Sequence, residues 1–328
     1  MAEVSSSTTA EVQHVQRWLA HLESRMSTVV QSENPFVTEA SQHVLSAGGK
    51  RMRPALVFLT GQFGAVGADE DRLEVAAMVV ELTHVASLYH DDVMDDAEMR
   101  RGVSSANAHF GNTVAILAGD YIFARASSLV STLGPAFVAR QSDTFSRMVQ
   151  GQIAEFKGPA VGEDPMEHYL RVLGDKTAAL IATSAVFGGM VAGLDDGALA
   201  ALDRFGQALG IAFQLHDDLI DIMSDTAGKA PGTDLRQGVS TLPLLLLARS
   251  DVPSDQELVA AFDAGLDDDA VAGALAALRV HPVIDQAREV IVEYARQAET
   301  ELAGLPDGRA KSELVALVSD MTSQVRAQ

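Results

Sequence analysis

The sequence has 328 residues, of which 47% are hydrophobic, and it carries a formal net charge of −21 with a pI of about 4.7. A surface this acidic excludes broad nucleic-acid binding, and any site for an anionic substrate must therefore depend on local cations, either metals or arginines. The sequence contains no cysteine, which excludes disulfides, thiolate metal sites and a cysteine nucleophile.

Most of the chain is predicted to be helical, because long segments rich in Ala, Leu, Val and Met lie between a few clusters of Gly and Pro. The fourth segment begins at Asp69, a suitable N-cap, and is apolar nearly all round, which indicates a buried central helix. The predicted helices span residues 9–30, 35–47, 51–63, 69–95, 112–131, 135–156, 165–192, 198–223, 240–249, 255–264, 268–279, 283–303 and 308–326.

We find no strand-like alternation and no linker that divides the chain, so one all-α domain over residues 1–328, built as a large helix bundle, is predicted. The N-terminal residues show no basic region followed by an apolar run, and no stretch has about 18 uninterrupted apolar residues. We therefore expect no signal peptide, no integral membrane span and a cytoplasmic location.

Two acidic motifs, HDDVMD and HDDLID, share the pattern His-Asp-Asp-x-x-Asp. Residues four apart on a helix share a face, and carboxylates that cluster on an apolar helix repel one another unless cations lie between them. Mg²⁺ prefers a few carboxylates, several waters and a substrate phosphate. The two motifs therefore predict a diphosphate site that contains Mg²⁺. Their carboxylates belong to Asp91, Asp92, Asp95, Asp217, Asp218 and Asp221.

Basic residues occur at a few positions in this acidic chain. The segment GGKRMRP brings together Lys50, Arg51 and Arg53 after two glycines, which predicts a second anion site. Arg100 and Arg101 follow the first acidic motif and are suited to phosphate oxygens. Each group also has a simpler interpretation, as a solvated helix end or turn.

Two weaker signals complete the set. The segment DKTAALIATS places Lys176 and Thr177 inside an apolar helix, and GKAPGTD places Lys229 in a glycine-rich loop just after the second acidic motif. The loop is not a Walker A motif, since GxxxxGK[ST] is absent.

In motif content and order the chain resembles the trans-isoprenyl diphosphate synthases (the polyprenyl synthetase family) of the long-chain type. The motifs that carry the resemblance are GGKRMRP, HVASLYHDDVMDDAEMRRG, AILAGDYIFARA, DKTAALIATS, FQLHDDLID, GKAPGTDL and STLPLL, and they cover nearly the whole chain. The resemblance implies an all-α bundle around a deep central cavity and a homodimer. It also implies Mg²⁺-dependent condensation of isopentenyl diphosphate with geranyl, farnesyl or geranylgeranyl diphosphate.

The resemblance also assigns roles by motif position. Up to three Mg²⁺ ions would be bound directly by Asp91, Asp95 and Asp217, with Asp92, Asp218 and Asp221 supporting the metal or its waters. The allylic diphosphate would contact Arg100, Lys176 and Lys229. Isopentenyl diphosphate would contact Lys50, Arg53, His84 and Arg101. Oxygens of Thr177 and Gln214 would lie near the developing carbocation. In one departure, Val239 occupies the place of a lysine that the family often has, so one diphosphate contact is either missing or supplied by Arg236.

Product length is predicted from positions just before the first acidic motif. In the family, bulky aromatics there stop growth early, whereas this chain has Ala86 and Ser87. The resemblance thus implies a product of about thirty to fifty carbons, and a geranylgeranyl product is the alternative if Phe123 or another residue of its helix sets a nearer floor. The small residues have a structural interpretation too, as sites of close helix packing.

Three other functions fit parts of the sequence. A class I terpene cyclase also uses DDxxD, but its second metal motif differs and it does not require GGKRMRP. An HD-type phosphohydrolase would need further histidines and leaves the arginines unexplained. A regulatory subunit without catalysis would not need both acidic motifs intact, as they are here.

Overall fold

The computed structural model describes residues 18–64, 69–223, 241–263 and 268–327, and most of these residues are helical, which confirms the all-α class. The first elements are α1 (18–29), α2 (Pro35–Ser46), α3 (Met52–Gly61), α4 (Glu70–Met94), β1 (Met99–Arg100), β2 (Val103–Ser104), α5 (Ala106–Phe110), α6 (Asn112–Leu133) and α7 (Pro135–Lys157). The others are α8 (Pro165–Leu173), a π-helix (Gly174–Ala178), α9 (Ala179–Val191), α10 (Asp196–Met223), α11 (Leu242–Leu247), α12 (Pro253–Asp263), α13 (Asp268–Arg279), α14 (Val283–Glu301), a 3₁₀ turn (Leu302–Gly304) and α15 (Arg309–Ala327).

The chain groups into two compact units, each made of separate segments. The first unit contains Met1–Ser146, Thr183–Asp203 and Gly308–Ala310. The second unit contains Arg147–Ala182, Arg204–Asp307 and Lys311–Gln328. The two acidic motifs fall in different units, the first motif in the first unit and the second motif in the second unit.

The first unit is organised around α4. Asp69 caps this helix, as predicted, by accepting a 3.2 Å hydrogen bond from the backbone N–H of Arg72. Helix α4 packs against α3 and most extensively against α6. Close approach to α6 is possible because Gly119 has no side chain: a Cβ there would lie 3.2 Å from the Ala86 carbonyl oxygen. The acidic motif at the end of α4 is thereby held on a rigid, buried helix.

A short antiparallel hairpin follows α4, and the sequence did not predict it. Met99 pairs with Ser104 and Arg100 pairs with Val103, which leaves a two-residue turn of Arg101 and Gly102. Both turn residues have positive φ angles, 51° and 81°, as a type I′ hairpin turn requires.

The second unit contains a π-helix where the sequence predicts one continuous helix over 165–192. Arg147 of α7 binds it, with Nε donating to Asp175 Oδ1 at 2.9 Å and Nη2 donating to the Gly174 carbonyl at 3.3 Å. Helix α7 approaches closely here because residue 151 is glycine; a Cβ there would lie 2.6 Å from the Lys176 nitrogen. π-Helical turns are frequent at functional sites, and this one contains Lys176 and Thr177.

The remainder of the second unit packs around α11 and α14. Helix α11 contacts α8, α12 and α14, and its leucines are nearly all buried. Helix α14 buries side chains at intervals of three and four residues, which is the pattern of a helix with one apolar face.

Helix α6 is long and apolar enough to cross a membrane by length and composition alone, although a third of the relevant window is buried. Helices in the core of a folded domain pass the same test, and α6 packs against α4 and α5 within the first unit.

Candidate active site

The first acidic motif ends α4 with three carboxylates in different environments. Asp91 is half-buried, Asp92 is buried and Asp95 is exposed at the C-cap. Arg100 binds Asp92, with Nε donating to Oδ1 at 2.7 Å. Burial raises the pKa of Asp92, and the hydrogen bond from Arg100 opposes that shift. The buried Asp92 carboxylate thus holds the arginine that the resemblance assigns to the allylic diphosphate.

The other oxygen of Asp92 bears on metal binding. Asp92 Oδ2 is buried and has no hydrogen-bond partner among the residues that the structure describes, so it can accept a bond from a metal-bound water. Among the described residues, no three His, Cys, Asp or Glu side chains are grouped so as to hold a metal ion by themselves. Mg²⁺ does not need such a cage, because it is usually bound by one or two carboxylates with waters and phosphate. The carboxylates of α4 therefore fit Mg²⁺.

Basic residues from two loops gather near His84 in the first unit. Burial lowers the pKa of His84 well below its usual value, and Arg53, Arg101, Arg100 and Arg51 lower it further. The same effects favour the neutral form of the His84 imidazole over the imidazolium. Lys50 is exposed and Arg53 is half-buried. The charges of Arg53, Arg100 and Arg101 thus all act on His84.

Arg51 differs from the other cations of GGKRMRP. Its side chain is only 4% exposed, and Nη1 donates to the buried Glu81 at 2.6 Å. The sequence counted Arg51 with Lys50 and Arg53 as cations of one anion site, but the structure makes it an internal ion-pair partner.

The second acidic motif lies on α10 in the second unit, where its middle aspartate is again the buried one. Tyr169 donates a hydrogen bond to Asp218 Oδ2, and Gln214 Nε2 donates to Oδ1 at 2.9 Å. Burial raises the pKa of Asp218, and the neighbouring Asp217 and Asp221 raise it further, while the two hydrogen bonds lower it. Asp217 and Asp221 are half-buried.

The π-helix connects to this motif through side chains. Thr177 Oγ1 donates to Gln214 Oε1 at 3.2 Å, so the two oxygens assigned to carbocation stabilisation are brought together. Lys176 forms an ion pair with Glu155 of α7. Sequence reasoning missed Tyr169, Glu155 and the Arg147 contact. Tyr169 precedes Lys176 by seven residues, a spacing that could have singled it out, but the π-helix between them obscures the helical phase.

The residues assigned to product length occupy different surroundings. Ala86 is 1% exposed and lies where α6 crosses α4. Ser87 is half-buried, and its hydroxyl donates to the His84 carbonyl at 2.9 Å. Phe123 stacks on Phe145, with ring centroids 4.0 Å apart. The packing interpretation therefore applies to Ala86 more than to Ser87.

Three sequence features lie outside the described residues. They are Lys229, assigned to the allylic diphosphate, and the departure at Val239 with its substitute Arg236.

The chain matches known proteins over nearly all of its length. The family model for polyprenyl synthetase matches residues 34–277. A nonaprenyl diphosphate synthase of Mycobacterium tuberculosis is 44% identical over 313 residues, which cover 94% of this chain and 93% of the relative.

The structure is also similar to solved structures of other proteins. A geranylgeranyl pyrophosphate synthase from Corynebacterium glutamicum, complexed with calcium and isoprenyl diphosphate, has a TM-score of 0.85 and 40% identity, covering 96% of this chain and 98% of that one. A decaprenyl diphosphate synthase from Rhodobacter capsulatus has a TM-score of 0.86 and 29% identity, with the same coverage of 96% and 98%.

Proposed function

The chain belongs to the polyprenyl synthetase family, and from that premise we propose that it is a prenyltransferase that makes a long trans-polyprenyl diphosphate. The reaction is the head-to-tail condensation of isopentenyl diphosphate with an allylic diphosphate. The observation that carries the proposal is the end of α4, where the carboxylates of Asp91, Asp92 and Asp95 lie beside a cluster of arginines. Carboxylates suit a divalent cation, and arginines suit diphosphate oxygens.

Mg²⁺ is the proposed cofactor, with up to three ions. Asp91, Asp95 and Asp217 would bind it directly, and Asp92, Asp218 and Asp221 would hold its waters. When bound, Mg²⁺ neutralises the charge that builds up on a departing diphosphate. The buried Asp92 and Asp218 are each fixed by hydrogen bonds, which would keep the two motifs preorganised before substrate arrives.

The cations divide between two substrates. Arg100, Lys176 and Lys229 would bind the allylic diphosphate, and Lys50, Arg53, His84 and Arg101 would bind isopentenyl diphosphate. Lys176 pairs with Glu155 in this structure, so the lysine would leave that carboxylate to reach a diphosphate.

The chemistry then needs no protein nucleophile. The allylic C–O bond breaks and its electron pair leaves with the diphosphate, which forms an allylic cation. The Thr177 and Gln214 oxygens would stabilise that cation. The double bond of isopentenyl diphosphate attacks it to form a C–C bond, and a proton passes to the released diphosphate.

The relatives bear on product length. The named nonaprenyl and decaprenyl synthases support a long product, as does the small, half-buried Ser87. We propose about thirty to fifty carbons. A geranylgeranyl product is the second candidate, favoured by the Phe123–Phe145 stack if it forms the floor.

Several wider features belong to the same proposal. The motifs of one reaction occur in both compact units, so the whole chain would act as one functional domain. A homodimer is supported by exposed apolar side chains on α6, where Ile116 is 43% and Leu117 is 61% exposed. Because its substrates are charged and water-soluble, a cytoplasmic location fits.

The decisive assay incubates the purified chain with Mg²⁺, labelled isopentenyl diphosphate and, in parallel, geranyl, farnesyl and geranylgeranyl diphosphates. Products are sized after dephosphorylation. A ladder that ends at about thirty carbons or more supports the proposal, and a stop at twenty selects the second candidate. If no primer is elongated, the chain is a cyclase or an inactive subunit, and adding a partner synthase subunit separates these two. Light scattering of the same sample measures the oligomeric state.

A further inference from the structure

Two arginines of the first unit have an unusual backbone. Arg51, just before α3, has φ 48° and ψ 35°, and Arg101, in the hairpin turn, has φ 51°. Among the described residues only Asp96 is a further non-glycine residue with positive φ. Bulky residues rarely adopt this conformation, which is strained and persists only where the surrounding structure holds it. Something must therefore hold both arginines in place.

The group that holds both arginines is the carboxylate of Glu81, in the middle of α4. Its side chain is 2% exposed, and Oε1 accepts the 2.6 Å hydrogen bond from Arg51 Nη1. The same oxygen lies 3.8 Å from Arg101 Nη2. One buried acid on a rigid helix therefore contacts arginines from two separate loops. Glu81 also precedes His84 by three residues, which puts both on one face of α4.

The rest of the Arg51 side chain is also committed to the protein. Its Nε donates to Glu23 of α1 at 3.0 Å, and its Nη2 donates to the Leu45 carbonyl at 3.0 Å. Each guanidinium nitrogen thus has its own acceptor. Arg51 is therefore a fixed support for the loop between α2 and α3.

Arg101 is held differently. Its Nη1 donates to the Gly48 carbonyl, so this side chain connects the hairpin to the GGKRMRP loop. Its side chain remains 18% exposed, so it is partly accessible to a ligand. Burial lowers the pKa of Arg101, and the charge of Glu81 opposes that shift.

We propose that Glu81 is a positioning residue for the isopentenyl diphosphate site: it fixes Arg51 and Arg101, and with them the two loops that present the cations of that site. The inference rests on the proposed function and adds to it a residue that touches no substrate. Glu81 acts through the arginines, by keeping two strained loops in the binding conformation.

The test uses Glu81→Gln in the full-length chain. We expect the KM for isopentenyl diphosphate to rise about tenfold, the loss typical of one charge-assisted hydrogen bond, with the allylic KM within about twofold of wild type. Calorimetric titration of isopentenyl diphosphate alone should show the same weakening. If Glu81 were only a counter-charge, removing it would make the site more positive, and the KM for isopentenyl diphosphate would fall instead.

Glu74→Gln is the matched control. Glu74 is also buried on α4, one heptad earlier on the same face, and it pairs with Arg25 of α1 rather than with either loop. We expect this variant to lose stability without changing the ratio of the two KM values. If both variants raise the two KM values equally, the role of Glu81 is merely structural and the inference is wrong.

A second variant covers the case in which Glu81→Gln does not fold. The double variant Arg51→Met, Glu81→Leu replaces the buried ion pair with apolar side chains, a change that is often neutral for stability. It should show the same selective rise in KM, and unchanged binding would overturn the inference. Failure of the proposed function can be told apart from failure of this inference by the wild-type protein. If the proposed function is wrong, wild type elongates no primer, whether or not it binds isopentenyl diphosphate in the titration.

Discussion

The guanidinium of Arg101 lies directly over Gly49. A Cβ built on Gly49 would lie 3.0 Å from Arg101 Cζ and 3.1 Å from Nη2, closer than almost all real Cβ contacts. Gly49 also has a φ angle of 152°, which side-chain-bearing residues rarely adopt. The second glycine of GGKRMRP is therefore needed both for its backbone conformation and for the space that it leaves to an arginine of the hairpin.

Gly49→Ala is expected to displace Arg101 and weaken binding of isopentenyl diphosphate about tenfold, because one charge-assisted contact is lost. The measurement is calorimetric titration with isopentenyl diphosphate. Gly48→Ala is the control, since its φ of 81° is also strained by a side chain but a Cβ there meets no atom of the described part of the chain within 4 Å. Both variants should lose about 1–3 kcal/mol of unfolding free energy. Equal binding by the two variants would rule out a specific role for the space over Gly49.

Arg101→Asn separates stability from binding. Asparagine tolerates the left-handed conformation of a type I′ turn far better than arginine, so we expect an unchanged or higher Tm. The guanidinium is lost, so binding of isopentenyl diphosphate should weaken about tenfold or more. Thermal unfolding and titration on the same sample test both parts. A lower Tm would mean that the contacts of Arg101 outweigh its backbone strain.

The sequence was sufficient for most of the helices and for the family, but not for the contacts between distant positions. Asp69 and the apolar pattern that follows it correctly predicted α4. The hairpin was missed because two-residue strands are too short to show alternation. The π-helix was missed because one widened turn leaves the composition of a helix unchanged.

Arg51 and Glu81 show the limit most clearly. In a basic segment Arg51 looks like a surface cation, and in an apolar helix Glu81 looks like an isolated exception. Each is explained by the other, 30 residues away. A buried ion pair is specified by the packing of α4 against its neighbours, and a single sequence contains no record of that packing.

The buried aspartate of the second motif predicts a pH dependence of stability without metal. Burial raises the pKa of Asp218, so the folded protein binds this proton more tightly than the unfolded chain. The resulting stabilisation of the folded state is fully present below the ordinary aspartate pKa, and it is lost as the pH rises through the raised pKa of Asp218. Asp218→Asn should therefore raise the Tm in EDTA at about pH 7 and leave it unchanged at about pH 3.

Asp255→Asn is the control of opposite sign for that experiment. Hydrogen bonds, first from Ser250, and the nearby His281 lower the pKa of the Asp255 carboxyl. That group stabilises the folded state above its unfolded pKa, and the stabilisation is lost as the pH falls through the lowered value. Its replacement should lower the Tm at about pH 7. The test measures the Tm of both variants in EDTA across this pH range. If the Tm of the two variants changed with pH in parallel, the opposite signs assigned to Asp218 and Asp255 would be wrong.

Ser87 and Ala86 are expected to respond differently to a bulky side chain. Ser87 is half-buried, so Ser87→Phe should shorten the product with little effect on folding. Ala86 is packed where α6 crosses α4, so Ala86→Phe should lose about 1–3 kcal/mol or more through overpacking. Product sizing and urea unfolding distinguish the two outcomes. Equal shortening by both, without loss of stability, would contradict this separation.

The Phe123–Phe145 stack makes a last prediction about product length. If these rings form the floor for the growing chain, Phe123→Ala removes one of them, and the product should gain one or more isoprene units. Phe145→Ala should act in the same direction, because each ring supports the other at a centroid distance of 4.0 Å. Phe137→Ala is the control, since Phe137 packs on Phe187 at 5.0 Å as another aromatic pair of the first unit. It should cost about 3–5 kcal/mol of stability and leave the product length unchanged. If all three variants make the wild-type product, the floor lies elsewhere; if only the control changes the length, the growing chain passes Phe137 instead.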